Sequence, residues 1–214
     1  MADLILFDLD GTLTDPYEGI TKSVAYALRR FGIDVADRRT LRPFIGPPLA
    51  ESFSKYYGLS EKEAKTAVDV YREYFSVTGI FENEVYPGIP EMLEALRSAG
   101  KTVALATSKP TVYAARILEH FSLDRYFDLC IGSELDGRRV DKAEVVRDVI
   151  AALCADRSSA VMVGDRLHDV IGAKKNGLAA VGVTYGYGSR AELSDAGADF
   201  TVDTVEELKK LLLK

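Results

Sequence analysis

Leu4-Ile5-Leu6-Phe7-Asp8-Leu9-Asp10-Gly11-Thr12 is the stretch whose reading decides the fold. A short continuous apolar run, Leu4 to Asp8, ends in an acidic cluster and reads as a strand buried on both faces at the centre of a parallel sheet. Two further runs repeat the pattern. Thr102 to Ala106 (TVALA) leads into Thr107-Ser108, and Ala160 to Val163 (AVMV) leads into Gly164-Asp165. A helical pattern follows each run, and Ala180 to Thr184 is a fourth candidate strand. This strand, loop and helix rhythm predicts an α/β fold: a Rossmann-like open parallel sheet with helices on both faces.

Helical punctuation fills the rest. Asp15-Pro16-Tyr17-Glu18 supplies an N-cap carboxylate, a first-turn proline and a glutamate three residues on, ahead of Ile20, Val24, Leu28 and Phe31. Ser60-Glu61-Lys62-Glu63 repeats the capping-box pattern before Ala64, Ala67, Val68, Tyr71, Tyr74 and Phe75. Pro90 to Ser98, Lys109 to Phe121 and Val205 to Leu212 are further predicted helices. From 15 to 86 only helical patterns and a Pro/Gly loop are visible, which predicts a helical insertion between core segments 1–14 and 87–214.

Composition narrows the function. The 214 residues are 47% hydrophobic and 28% charged, with net charge −6 and no clustered basic residues. Such a field repels nucleic-acid polymers. A small phosphorylated metabolite would need local compensation from lysine, a metal ion or backbone N–H groups. No run is long enough for a membrane span or a signal sequence, so a cytoplasmic monomer or weak homodimer is the expectation. Cys130 and Cys154 have neither disulfide-framework nor zinc spacing and read as buried small hydrophobes.

The chemistry concentrates at the strand ends. Asp8 and Asp10 alternate at a strand tip, where one carboxylate can attack phosphorus and the other can move a proton. Gly11 allows a backbone geometry that other residues resist. Thr107 and Ser108 offer hydroxyls for phosphate oxygens beside an expected helix N-terminus. Asp165 and Asp169, four apart, form an acidic pocket suited to a hard cation such as Mg²⁺. Lys142, at the start of a helical pattern, sits unfavourably for the helix dipole, which gives it a motive for facing a pocket. Taken singly, each motif also suits a turn, a cap or a surface position.

With these elements in order, the sequence resembles the haloacid dehalogenase-like hydrolase superfamily along essentially its whole length, through FDLDGT, ATSK, an intervening lysine and GDRLHD. The resemblance implies an α-helical cap at 15–86. It also implies Asp8 as nucleophile, Asp10 as acid/base with its carbonyl facing Mg²⁺, Thr107 and Lys142 as phosphate holders, Asp165 as a metal ligand with Asp8, and Asp169 as support for the metal. Lys109 is the alternative to Lys142. Asp10 argues against the dehalogenase branch. The stretch Arg42 to Leu49 (RPFIGPPL) and VTYGYGS resemble 5′-nucleotidase-like members and, next, phosphoglycolate phosphatase-like ones, which makes Arg42 and Gly46 candidates for substrate contact. The implied activity is Mg²⁺-dependent hydrolysis of a small phosphomonoester, nucleoside monophosphate ahead of phosphoglycolate, through an aspartyl-phosphate. The alternatives are a sugar phosphomutase of the same family and a silent phosphate-binding module.

Overall fold

The structure is a computed structural model and describes residues 2–214. Two compact units divide the chain: one runs from the N-terminus through Asp15 and resumes over Val85–Lys214, the other is Pro16–Glu84.

The larger unit is built on a six-stranded sheet. Its strands are β1 (Leu4–Phe7), β4 (Thr102–Pro110), β5 (Leu129–Ser133), β6 (Ala160–Gly164), β7 (Ala179–Val183) and β8 (Phe200–Val202), in the order β5-β4-β1-β6-β7-β8. Every neighbouring pair is parallel. This is the α/β architecture the apolar runs predict. β1 is central because its four residues are buried, with Leu4 and Leu6 in a cluster shared with Ala104, Val146, Val149, Met162 and Val170. Ile5 and Phe7 are buried as well. A side chain of that size contributes roughly 1.5–3 kcal/mol on full burial, so a strand covered on both sides has no place at an edge.

The register fixes the site. Phe7 pairs with Leu105 on one side and with Val163 on the other, so β1 and β6 end within a residue of each other while β4 runs on beside them. From β1 the chain builds outward through β4 and β5, then returns to the far side of β1 with β6. That reversal opens a crevice at the carboxyl ends, where open α/β sheets hold their ligands.

Two sequence expectations in this unit are corrected, and two strands are added. β4 runs on through Lys109 and Pro110, so the helix expected from Lys109 begins instead as α5 (Thr111–His120). Pro110 disfavours helix at the residue before it, and Pro110 still pairs with Ser133 across a register shift. β5 and β8 were not read from the sequence. Asp15 is not a helix cap: it lies in the two-residue strand β2 (Thr14–Asp15), paired with β3 (Glu84–Val85), and its carboxylate accepts a hydrogen bond from the Tyr187 hydroxyl. The remaining α-helices of this unit, among the described residues, are α4 (Ile89–Ser98), α6 (Lys142–Ala152), α7 (Leu167–Lys175), α8 (Arg190–Asp195) and α9 (Val205–Leu212).

The smaller unit is helical. α1 (Tyr17–Arg29) buries Ile20, Val24 and Leu28, and α3 (Glu61–Phe75) buries Ala64, Ala67, Val70, Tyr71 and Phe75. Ser60 and Glu63 form the expected capping box. α1 comes so close to the turn at Gly79 that a Cβ on Gly19 would lie 1.9 Å from the Gly79 carbonyl oxygen. The proline-rich stretch expected as a loop is partly ordered: a 3-10 helix covers Arg38–Phe44 with Pro43 inside it, and α2 (Leu49–Tyr57) follows. Phe44 anchors this stretch, packed edge-on against Phe53 with ring centroids 5.0 Å apart.

Candidate active site

Asp8 follows the last residue of β1, and its amide donates to the Val163 carbonyl at 2.9 Å, which fixes its backbone between β1 and β6. Asp165 follows Gly164, the last residue of β6, and Asp169 stands in the first turn of α7. One carboxylate oxygen from each of Asp8, Asp165 and Asp169 lies within 4.8 Å of the other two, and all three residues are buried.

Lys142 opens α6 behind the Asp141 N-cap and is itself buried. Its ammonium lies 2.8 Å from Asp8 Oδ1, 2.7 Å from Asp169 Oδ1 and 3.0 Å from the Ala106 carbonyl oxygen. The ammonium donates hydrogen bonds to Asp8 Oδ1 and the Ala106 carbonyl, whereas its contact with Asp169 Oδ1 is an ion pair. Burial alone would push this lysine down, but the Asp169 and Asp8 carboxylates outweigh it and hold the ammonium charged well beyond the ordinary lysine range. Gly172 of α7 supplies the space, since a Cβ there would approach Lys142 Cγ to 2.8 Å.

Asp10 is buried two residues beyond Asp8, and its Oδ2 lies 2.8 Å from the Lys109 ammonium. Its Oδ1 is buried without a hydrogen-bond partner. Gly11, with φ +81°, turns the chain back so closely that a Cβ there would lie 2.2 Å from Asp165 Oδ2. Only glycine fits that turn without strain. Thr107 is buried at the end of β4, its hydroxyl accepting from the Lys109 amide at 3.2 Å, while the Ser108 carbonyl accepts from the Ser133 hydroxyl at 2.8 Å. The helix N-terminus expected beside these hydroxyls lies farther along, because α5 starts at Thr111.

Burial dominates the electrostatics. It pushes the Asp165 carboxyl well above the usual carboxylate range, with Asp169 and Asp8 adding to the rise. It lifts Asp169 to about 6 against the pull of Lys142, and raises Asp10 against the pull of Lys109. Asp165 Oδ2 accepts the Tyr187 amide at 2.8 Å, yet its Oδ1 is buried with no hydrogen-bond partner. An orphaned buried carboxylate oxygen beside two further carboxylates is a donor set that fits a hard divalent cation.

The structure thus brings together Asp8, Lys142, Asp165 and Asp169, and sets Asp10, Gly11 and Thr107 on the adjoining strand ends. Arg42 and Gly46 belong to the smaller unit, where the Arg42 carbonyl closes the 3-10 helix onto Ile45 and Gly46 turns with φ +102°. Two features escaped the sequence reading. One is the Lys109–Asp10 ion pair, which depends on the irregular end of β4. The other is the Tyr187 amide on Asp165, signalled only by glycines alternating with tyrosines in Tyr185-Gly186-Tyr187-Gly188.

Residues 5–183 match the family of haloacid dehalogenase-like hydrolases. A 5′-nucleotidase of Pseudomonas aeruginosa is 53% identical over 189 residues, covering 88% of this chain and 86% of its own length. The tyrosine-protein kinase PtkA of Mycobacterium tuberculosis is 39% identical over 212 residues, covering 98% of this chain and 72% of its own. The crystal structure of a predicted phosphatase from Clostridium acetobutylicum superposes with a TM-score of 0.97 at 51% identity, over 100% of this chain and 99% of that one. The chain belongs to the haloacid dehalogenase-like hydrolase family. Within that family its place is among the phosphatases.

Proposed function

We propose that this phosphatase hydrolyses small phosphomonoesters, nucleoside monophosphates foremost, with Asp8 as nucleophile and Mg²⁺ as cofactor. One observation carries the reading. Four buried carboxylates (Asp8, Asp10, Asp165, Asp169) meet two buried ammonium groups (Lys109, Lys142), which leaves two negative charges when all are ionised. A site that must admit a phosphate dianion cannot hold that excess uncompensated, and a divalent cation matches it in charge and ligand preference.

Asp8, Asp165 and the Asp10 carbonyl would hold the ion, with Asp169 supporting it; when bound, it supplies charge neutralisation and polarisation of the phosphoryl group. The chain's own residues account for the bond changes. An Asp8 oxygen attacks phosphorus as the bond to the leaving oxygen breaks, and Asp10 gives that oxygen its proton. Water then attacks the phosphorus of the aspartyl-phosphate, Asp10 takes its proton, and inorganic phosphate leaves Asp8 free. Lys142 orients Asp8 throughout, and Thr107 offers its hydroxyl to a phosphoryl oxygen. The preference for nucleotides is supported by the 5′-nucleotidase likeness, and the assignment of Arg42 and Gly46 to substrate selection by the family resemblance.

The test is steady-state phosphate release from nucleoside monophosphates, phosphoglycolate, sugar phosphates and phosphotyrosine, with Mg²⁺ and with chelator. Mg²⁺-dependent turnover fastest on nucleotides is expected. Release that needs a bisphosphorylated activator would favour a phosphomutase, and no turnover on any ester would favour a silent binding module.

A further inference from the structure

The two oxygens of Asp165 are treated differently. Oδ2 is held by the Tyr187 amide at 2.8 Å, and Oδ1 is buried without a partner. A carboxylate fixed by one oxygen cannot spin about its Cβ–Cγ bond, so the other oxygen is presented in one direction. The held orientation therefore depends on where the Tyr187 backbone sits.

That backbone lies in the loop after β7, with no regular hydrogen-bond ladder of its own. It presses directly on its target: a Cβ on Gly186 would lie 2.2 Å from the Gly11 carbonyl oxygen, and one on Gly188 would lie 1.9 Å from the Asp165 carbonyl oxygen. Glycine makes this approach sterically possible and makes the loop costly to order. Two phenols supply the anchorage. The Tyr185 hydroxyl donates to the Thr12 carbonyl at 3.0 Å, and the Tyr187 hydroxyl donates to Asp15 Oδ1. The Tyr185 ring also packs edge-on against Tyr86, centroids 5.1 Å apart. Tyr187 thus joins the strand leaving the Asp8 turn to the carboxylate beside it, by its side chain at one end and its amide at the other.

We propose that Tyr187, anchored through its hydroxyl to Asp15, is a positioning residue for the divalent-cation ligand Asp165. The inference rests on reading Asp8, Asp165 and Asp169 as a cation site. It assigns Tyr187 and Asp15 no contact with the ion or the substrate.

The experiment titrates Mg²⁺ by calorimetry, and Mn²⁺ by electron paramagnetic resonance, into the metal-stripped full chain. The variants are Tyr187→Phe, Asp15→Ala and the two combined, with Asp15→Asn retaining an acceptor and Tyr74→Phe removing a tyrosine hydroxyl bond to Glu82 in the smaller unit. Tyr187→Phe and Asp15→Ala should each weaken both ions about tenfold, the lower end for partners that orient a metal ligand. The combination should lose no more than either single change, because one bond is being removed twice. Asp15→Asn and Tyr74→Phe should bind as the parent does. Unchanged affinity in Tyr187→Phe and Asp15→Ala, or losses that add, would overturn the assignment while leaving the cation site intact. A parent chain that binds neither ion removes the site itself, and the inference with it.

Discussion

Replacing Lys142 by methionine removes a cation that touches both Asp8 and Asp169 while keeping most of the buried stem volume. The ammonium contacts at 2.8 and 2.7 Å disappear, and the Asp8, Asp165 and Asp169 oxygens stay within 4.8 Å of one another with no lysine among them. At an effective dielectric constant of about 20, each ionised pair at that separation repels by about 3.5 kcal/mol. Removing one partner of a buried ion pair costs about 3–5 kcal/mol. For a chain of 214 residues that loss lowers Tm by about 6–20 °C. The lysine stabilisation is fully present at pH 7.5, because the raised folded-state value lies above the unfolded one and is lost only as pH rises through it. The carboxylates set the pH dependence. Asp165 and Asp169 are raised by burial, so they take up protons as pH falls, and Asp169 rises further without Lys142 to oppose it. Thermal melts followed by circular dichroism in chelator should therefore show the full deficit at pH 7.5 and a smaller one at pH 5. Millimolar Mg²⁺ should raise Tm more in Lys142→Met than in the parent, since the ion meets two uncompensated carboxylates there. A variant that melts within about 2 °C of the parent at pH 7.5, or a deficit equal at the two pH values, would refute the charge balance described for this site.

Asp165→Asn should raise Tm in chelator, because the raised carboxylate costs stability as it ionises above the ordinary range, and should abolish the Tm gain on adding Mg²⁺; scanning fluorimetry reads both signs. Burial pushes the half-buried Cys130 thiol up to about 11, whereas Cys154 is exposed rather than buried as its apolar character predicts, so a disulfide reagent at pH 8 should modify Cys154 quickly and Cys130 slowly. Two equally fast thiols would contradict the packing of β5. Ser60→Ala breaks the α3 capping box and should cost about 1 kcal/mol in urea unfolding, with phosphate release per folded molecule unchanged.

The central strands were legible because each is a short apolar run buried on both sides, a pattern solvent-exposed elements do not produce. β5 and β8 were not. Leu129–Ser133 carries a cysteine, a glycine and a serine in five residues and is buried only toward its end, and Phe200–Val202 is a three-residue edge strand beginning on an exposed Phe200. The acidic residues of the site announced themselves by sitting where apolar runs stop. Lys109 was legible only as an alternative to Lys142, and its pairing with Asp10 was not, since Asp10 lies beyond another strand and the end of β4 shifts register before Pro110. Asp15 misled for a related reason: Asp-Pro before a helical pattern is a good local cap, but Tyr187, distant in sequence, takes the carboxylate. Local preference loses where a long-range hydrogen bond satisfies the same group.

The most direct test quenches the enzyme with acid during turnover of a nucleoside monophosphate, reduces it with borohydride, and reads the peptide containing residues 4–12 by mass spectrometry. An acyl phosphate at Asp8 is converted to homoserine at that position, and this product, absent from Asp8→Asn and from enzyme without substrate, is the predicted result. Steady release of phosphate with residue 8 unmodified, or with the modification on another carboxylate, would contradict the account.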